Sequence, residues 1–386
     1  MPYITRCEIT YRIMVNFALN SSKSVSAVVK MNQVILDNLL KYELKIRRNN
    51  ENNSHHIAIE TINLILDAIK NAKSNANVED LIRRITDRLI KDFPNDTIIK
   101  NICSQVIVKL EDFIKDFHTR NTNTNAQMRK SHSLLQIISE YTNFTTSISD
   151  EILSSHELPE DLSYVMKSQL EELMNDLSNP YPDIAKNASD YLHANDVVLT
   201  IGRSESVAQF IASAKCELTV FIPLRAPRND GIDMANKIKN LLSTNKSSSK
   251  VKIVVIPDAT VFAIIPKVNV VLLSARTVFA NGGIISFSLS HAAALAASRY
   301  SKTVIALYWE MKLTSDMYHP GETYAILKDP RQVMDDEIVD QTDSTIIYPD
   351  GDYIPPELIT LMKNESKAHV PTDVFSIVQQ NYFVDE

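Results

Sequence analysis

Apolar residues recur at helical spacing through the first half of the chain. Within segments 56–72, 78–93 and 99–117, apolar side chains return every three or four residues, which is the period of an amphipathic helix. Clusters of Asn and Ser separate these segments, as expected for polar connections between helices. We therefore predict a helical N-terminal half. Further helices are predicted at about 133–143, 159–177 and 183–193.

The pattern changes at residue 195. Short runs rich in β-branched residues now alternate with helical segments, and each run is apolar nearly throughout. Such runs are buried on both faces, which is typical of a parallel sheet covered by helices on both sides. Strands are predicted at 196–202, 218–223, 251–257, 268–274 and 303–309. Helices are predicted between them at 204–216, 231–243, 258–266 and 286–300.

Glycine usage follows the same division. None of the six glycines precedes Gly202, and glycine serves the tight turns and positive-φ positions that a sheet domain needs. We expect an α/β protein with an all-helical N-terminal domain over 31–190, followed by a Rossmann-like, doubly wound parallel-sheet domain over 191–386. Residues 1–30 are predicted to be an extension whose order is left open. Met31, where a fresh helical pattern begins, is our hypothesis for the natural start.

Charge and cysteine content narrow the function classes. The net charge of −7 argues against a protein that coats nucleic acid, since that affinity needs a basic field, and no direct DNA binding is expected. Only three widely spaced cysteines occur, at positions 7, 103 and 216, so neither a disulfide framework nor a zinc site is indicated. The longest apolar stretches run to about ten residues, against the ~20 that a spanning helix needs. A cytoplasmic protein without a membrane partner is expected.

The carboxyl edge of the predicted sheet is where a ligand would bind, because ligands of doubly wound folds lie outside the carboxyl ends of the strands. The residues selected by this rule are Gly202, Arg203, Asp258, Asn281, Gly282 and Gly283. Together they would form a small crevice suited to a sugar phosphate. Simpler interpretations stay open, since Asp258 would equally cap the following helix and Asn281 with its glycines would equally form a turn.

Motifs for cofactors and metals are missing from the sequence. The first strand is followed by G-R-S-E-S, which lacks the G-x-G-x-x-G pattern that lets a dinucleotide approach the backbone. Neither the phosphate-binding G-x-x-x-x-G-K-[ST] nor the zinc-binding H-E-x-x-H occurs. We therefore predict no cofactor, no metal and no catalytic residue.

Three strings of the C-terminal half carry a resemblance to a known family. They are NDVVLTIG at 195–202, the segment 256–283 with IPDA, VFA and ANGG, and DYIPPELI at 352–359. In this order and spacing they resemble the regulatory alpha, beta and delta subunits of translation initiation factor 2B. The ANGG and DYIPPE strings, with a helical start near residue 60, resemble the beta branch of that family best. The order of the strings disfavours a free-standing Rossmann-like domain joined to an unrelated helical adaptor.

The resemblance implies a regulatory, non-catalytic subunit of a complex that exchanges GDP for GTP on initiation factor 2. It also implies sensing of phosphorylation on the alpha subunit of that factor. The implied partners are the alpha, gamma, delta and epsilon subunits of factor 2B, and initiation factor 2 with its phosphorylated alpha subunit. Asn195 and Val197, at the start of the first strand and assigned to the carboxyl edge of the sheet, are candidates for the surface that pairs subunits.

An enzyme is the alternative. The same fold resembles sugar-phosphate isomerases of the methylthioribose-1-phosphate type, which use a cysteine and an aspartate to move protons. Asp258 matches the aspartate, but the cysteine is expected in the turn at 202–204, where this chain has Gly-Arg-Ser. Cys216 lies at the far end of the following helix, ~18 Å away at 1.5 Å per residue. An isomerase or a sugar-phosphate-binding protein therefore stays only the alternative.

Overall fold

The structure, a computed structural model, describes residues 33–48, 53–72, 76–121, 162–177, 179–244, 250–318, 333 and 347–382. Several sequence-based predictions lie outside these residues. They are the extension 1–30, the start at Met31, the helix at 133–143 and the first residues of the helix at 159–177. The domain boundaries at 31–190 and 191–386 are kept as a proposal.

Helices make up the N-terminal region, as the periodicity predicts. They are α1 Gln33–Arg48, α2 Ser54–Lys70, α3 Ala76–Asp92, α4 Thr97–Asn121 and α5 Leu162–Asp176. In α2 the buried residues Ala58, Ile62, Ile65 and Ile69 lie on one face, while the side chain of Asn53 caps the first turn by accepting the backbone N–H of His56. The amphipathic pattern therefore fixes both the helix and the face that it buries.

The helix predicted at 183–193 is wrong as a single element. The structure has a short helix α6, Tyr181–Ile184, and then a 3-10 turn, Ala188–Asp190. Asn187 between them adopts a left-handed φ of 60°. A residue in that conformation ends an α-helix, and asparagine tolerates it better than most residues do.

The C-terminal region alternates strands and helices. The strands are β1 Asp196–Thr200, β2 Leu218–Pro223, β3 Val251–Ile256, β4 Val270–Ser274, β5 Thr277–Val278, β6 Ile284–Phe287, β7 Thr303–Leu307, β8 Gly351–Ile354, β9 Leu361–Lys363 and β10 Ala368–His369. The helices are α7 Glu205–Ser213, α8 Asp230–Thr244, α9 Val261–Ile264, α10 Ser290–Arg299 and α11 Asp373–Tyr382.

Among the residues that the structure describes, seven strands form the main sheet, in the order β10-β9-β7-β4-β1-β2-β3. All neighbouring pairs are parallel except β9 with β10. The chain runs outward from β1 to β3 and then returns to the other side of β1 with β4, so the order reverses at β1. This confirms the predicted Rossmann-like α/β fold behind a helical region. Strands β5, β6 and β8 form a separate antiparallel sheet.

Both faces of the main sheet are buried, with side chains alternating between them. Val198 packs into a core shared with α7, α8 and the N-terminal helices, whereas its neighbour Leu199 packs with α10 and α11 on the other face. Buried polar contacts also join the two regions: the side-chain amide of Asn101 on α4 donates to the carbonyls of Met311 at 2.7 Å and Leu313 at 3.0 Å. The helical region therefore packs directly on one face of the sheet.

Two further elements differ from the sequence-based prediction. The helix predicted at 286–300 begins at Ser290, because Ile284–Phe287 pairs as strand β6 and Leu289 takes a φ of 80°. The two prolines and the acid of the DYIPPE string favour the start of a helix, but the structure has only the 3-10 turn Pro356–Leu358. There the chain continues into β9, which pairs with β7, so sheet pairing overrides the local helix-start signal.

Candidate functional site

An arginine cluster fills the carboxyl edge of the main sheet. Arg225 and Arg228 follow β2, Arg276 follows β4, and all three side chains reach the carboxylate of Asp350, just before β8. The guanidinium nitrogens lie 3.0, 3.2 and 3.1 Å from its oxygens, in that order. The Asp350 carboxylate is 0% exposed and the guanidinium groups of Arg225 and Arg228 are buried as well. A single buried carboxylate thus joins guanidinium groups from separate loops.

Arg225 is the most constrained member of the cluster. Its Nε donates to Asp230 at 3.1 Å, and its guanidinium also donates to Ser288. Burial works to lower the pKa of Arg225, but the hydrogen bonds and charges of Asp230 and Asp350 outweigh burial and raise it. The side chain is therefore a permanent cation held by carboxylates on two sides.

An aromatic ring lies beneath the cluster. The guanidinium carbons of Arg225 and Arg276 are 5.0 and 4.8 Å from the centre of the Phe287 ring, within the range of a cation–π interaction. Gly202 makes room for this ring, since a Cβ at Gly202 would lie 2.5 Å from it, and the φ of Gly202 is +74°. The glycine after β1 therefore serves the packing of Phe287.

Asp258 also contributes to the closed edge. Its two carboxylate oxygens accept the backbone N–H groups of Arg225 at 2.6 Å and Ala226 at 2.8 Å. The carboxylate thereby holds the loop that presents Arg225. Arg203, in contrast, points to the outside, with its side chain 40% exposed and 4.0 Å from Asp233 on α8. Gly202 and Asp258 thus lie on two sides of Arg225, while Arg203 lies apart.

Asn281, Gly282 and Gly283 are not part of this edge. They form the turn between β5 and β6, at the opposite end of β6 from Phe287, which is a separation of ~13 Å at 3.3 Å per residue. Asn281 accepts the N–H of Gly283 and donates to the hydroxyl of Tyr353 at 3.0 Å. The prediction of one crevice that includes these residues is wrong, because the turn belongs to the smaller antiparallel sheet.

This turn explains why two of the sequence strings occur together. Gly282 has a φ of +80°, and a Cβ there would lie 2.3 Å from the carbonyl oxygen of Pro371. A Cβ at Gly283 would lie 2.3 Å from the hydroxyl of Tyr353. Gly283 of the ANGG string thus fits against Tyr353 of the DYIPPE string, whereas Gly282 fits against Pro371, which lies beyond that string.

Asn195 and Val197 lie at the amino end of β1. The N–H of Asn195 donates to Glu217 just before β2, and the N–H of Val197 donates to the side chain of Asn269 just before β4. The assignment of these residues to the carboxyl edge is wrong, because a parallel strand starts at the amino edge of its sheet. Their role in subunit pairing stays a prediction.

Neither of the two described cysteines lies near Asp258. Cys216 follows α7 and its thiol is 3.5 Å from the carbonyl of Leu192, beside the amino ends of β1 and β2. Cys103 is buried inside α4, where burial raises its pKa. Asp258 and Cys216 are therefore on opposite edges of the sheet. Among the residues that the structure describes, no three His, Cys, Asp or Glu side chains are grouped as metal ligands.

Sequence reasoning missed Arg225, Arg228, Asp230, Arg276 and Asp350. A signal for the first three was present, because the string RAPRND begins two residues after the end of the predicted second strand and so lies at its carboxyl end. Asp350 had no comparable signal, since it approaches through β8 of the smaller sheet.

Known proteins resemble the chain in both sequence and fold. The beta subunits of translation initiation factor eIF2B from Schizosaccharomyces pombe and Dictyostelium discoideum are each 26% identical, over 227 and 224 residues. The aligned segments cover 58% and 57% of this chain, and 56% of each relative, so the match spans little more than half of the relatives' length.

A structural neighbour gives the fold over nearly the whole length. A chain of the tetrameric eIF2B-beta2-delta2 complex from C. thermophilum superimposes with a TM-score of 0.59 at 19% identity, covering 90% of this chain and 95% of that one. No helix in the described part of the chain is both long and apolar enough to cross a membrane.

The resemblance to the beta branch of the regulatory subunits is confirmed, since the matching sequences carry that name. The model of the Initiation factor 2 subunit family matches residues 50–365, which is most of the helical region and most of the sheet region. The chain belongs to the Initiation factor 2 subunit family.

Proposed function

We propose that this protein is a regulatory, non-catalytic subunit of the translation initiation factor 2B complex, of the beta type. The observation that carries the proposal is the family match over residues 50–365 together with the relatives named as beta subunits. In this role the protein supports GDP/GTP exchange on initiation factor 2 and senses phosphorylation of the alpha subunit of that factor, in the cytoplasm.

The closed carboxyl edge supports a non-catalytic role. In this fold the carboxyl edge is where a substrate would bind, and here Asp350 and the guanidinium groups around it occupy that position. Asp258, the one acid that matches an isomerase position, accepts two backbone N–H groups. These two hydrogen bonds give the Asp258 carboxylate a structural task, which is to hold the loop that follows β2.

The sugar-phosphate isomerase or sugar-phosphate-binding protein is the alternative function, and the described residues disfavour it. Cys216 lies at the amino edge beside Leu192, whereas Asp258 lies at the carboxyl edge. A proton relay requires its acid and its base within hydrogen-bond reach of one substrate. The shared fold alone gives no support to a shared activity.

The proposed partners are the alpha, gamma, delta and epsilon subunits of factor 2B, and initiation factor 2 with its phosphorylated alpha subunit. Pairing with delta is supported by the structural neighbour, which comes from a complex of two beta and two delta subunits. In the proposed mechanism the protein forms a rigid part of an assembly with two arrangements. Phosphorylated factor shifts the equilibrium only if it binds one arrangement more tightly than the other.

The test is affinity purification of the tagged chain from its own cells at moderate salt, with mass spectrometry of the co-purifying proteins. We expect four other factor 2B subunits in stoichiometric amounts, together with initiation factor 2. Recovery of the chain alone, or as a homo-oligomer, would contradict the proposal. In that case binding of a sugar phosphate near Asp258 becomes the next measurement.

An exchange assay tests the regulatory part of the proposal separately. The purified complex should accelerate release of labelled GDP from initiation factor 2, and phosphorylated alpha subunit should suppress that release. The complex assembled without this chain should lose the suppression, the acceleration or both. Unchanged exchange and unchanged suppression without the chain would refute a regulatory role while leaving membership of the complex intact.

A further inference from the structure

The arrangement around Asp350 has the chemistry of an oxyanion-binding site. Guanidinium groups of Arg225, Arg228 and Arg276 all direct N–H donors at one carboxylate, at 3.0 to 3.3 Å. Asp230 also pairs with Arg225, so three guanidinium groups face two carboxylates. Convergence of several guanidinium groups on one carboxylate is typical of sites that bind carboxylates and phosphates. The donors come from separate loops, so the fold assembles them.

The location supports the same interpretation. The arginines follow β2 and β4, which flank β1, and the strand order reverses at β1. In open α/β sheets, ligands bind outside the carboxyl ends of the strands at this reversal. The Asp350 carboxylate reaches the same place from the smaller sheet, and the residue's backbone carbonyl also accepts from Arg276.

Burial shows that the anion is fully enclosed. Asp350 is 0% exposed, and the side chains of Arg225 and Arg228 are 4% and 7% exposed. The ring of Phe287 covers the cluster from one side. An external anion therefore has neither room nor free donors there while the Asp350 side chain is in place.

We infer that the protein retains an oxyanion site at the carboxyl edge of its sheet and that Asp350 is its permanent internal occupant. The ligand class of this site is a small oxyanion, a carboxylate or a phosphate. The intact protein excludes such ligands because its own carboxylate is tethered in their place. This inference does not depend on the proposed role in translation.

The experiment removes the internal carboxylate and supplies an external one. Asp350→Ala leaves the room of one carboxylate beside the arginines, and formate is the probe of that size. We expect equal concentrations of sodium formate, relative to sodium chloride, to raise the thermal midpoint of Asp350→Ala by at least about 2 °C, because a ligand that binds only the folded state stabilises it. The wild-type full-length chain should show no such difference between the salts.

Three control variants separate site binding from a general salt effect. Asp350→Asn still fills the space and should not respond to formate. Asp80→Ala, which removes the partner of Arg84 in an exposed pair, should not respond either. Adding Arg228→Leu to Asp350→Ala should abolish the response. If Asp350→Ala does not fold in either salt, Asp350→Ser opens nearly the same space and is measured in its place.

Each result of the formate experiment either supports or overturns the inference. A formate response confined to the opened variants, and lost with Arg228→Leu, supports an oxyanion site. A folded Asp350→Ala or Asp350→Ser without a formate response overturns the inference. An equal response in the wild type overturns it as well, because Asp350 would then not be the occupant.

Discussion

Glu365 is a carboxylate whose ionisation is made unfavourable by burial, so replacing it should change how the stability of the protein depends on pH. It lies between β9 and β10, and its two oxygens accept the backbone N–H of Glu310, each at 3.2 Å. Burial, with a contribution from the charge of Glu310, raises the pKa of Glu365 from 4.5 to about 7. The perturbation is Glu365→Gln, which keeps an oxygen for the N–H of Glu310 and removes the ionisation.

The sign and size of the effect follow from proton linkage. Between pH 4.5 and about 7, the folded state holds a proton on Glu365 that the unfolded state has released, so the contribution of Glu365 to stability falls as pH rises through this window. At about 1.4 kcal/mol per pH unit the full loss would be about 3 kcal/mol, and solvent screening at a partly exposed carboxylate reduces it to about 1–2 kcal/mol. Glu365→Gln should therefore be more stable than the wild type at pH 8 and similar at pH 4.5.

The assay is urea unfolding of both proteins at a series of pH values between 4.5 and 8. Lys312 and His369 have pKa values that burial lowers, so they also change the stability with pH, but they do so in both proteins. The difference in unfolding free energy between variant and wild type reports the titration of Glu365 together with its effect on two charged neighbours, Glu310, whose pKa burial raises, and Lys312. Glu357→Gln, at an exposed position near the same sheet, is the control and should stay within about 0.5 kcal/mol.

A difference between Glu365→Gln and the wild type that does not change with pH would refute the reasoning, because a packing effect does not titrate. A difference that grows toward low pH would refute it as well, since that sign belongs to a carboxylate whose folded-state pKa is depressed.

Three further predictions concern packing and assembly. Asn101→Leu leaves two buried backbone carbonyls without their donor and should lower the unfolding free energy by about 2–4 kcal/mol in urea; a loss below about 0.5 kcal/mol would contradict this. Gly282→Ala should lower it by at least about 2 kcal/mol, because the residue has a φ of +80° and its Cβ would overlap the carbonyl of Pro371; Gly351→Ala, whose nearest contact would be 3.0 Å away, should cost less in the same assay. Val197→Asp should weaken dimerisation, and unchanged sedimentation of the mutant complex would refute that hypothesis.

The strands of the main sheet were predictable because each is a short, continuous apolar run between polar segments. Val198 and Leu199 show the reason, since neighbours on one strand face two different cores and both must be apolar. Strand β6 was missed because no glycine or proline separates its residues from the alanine-rich segment that follows. Its pairing with β5 and β8 and the left-handed Leu289 separate it from α10, and the pairing with β8, 70 residues away, leaves no local pattern.

The sequence predicts the edge of the sheet at which the candidate site lies, but it does not predict that the site is closed by the protein's own side chains. The rule for doubly wound sheets correctly selects the loops after β1 and β3, which lie beside the arginine cluster through Gly202 and Asp258. The rule does not predict that the site is closed, because the residues that close it, Phe287 and Asp350, lie in strand β6 of the smaller sheet and directly before its strand β8. A motif such as ANGG has the same limit, because a glycine that approaches a ligand and a glycine that fits against a side chain, as Gly283 fits against Tyr353, look identical in a sequence.

The closed edge has a consequence for where function is located on this protein. With Asp350 buried against guanidinium groups and Asp258 bonded to the backbone of the loop after β2, the position that an enzyme of this fold would use is occupied by the protein itself. The ion pairs also join the loops after β2 and β4 to the smaller sheet, so they stiffen the edge that would otherwise open for a substrate. In the proposed role the protein acts through surfaces that contact other chains, and the prediction for Val197→Asp is altered assembly while the buried cluster stays intact.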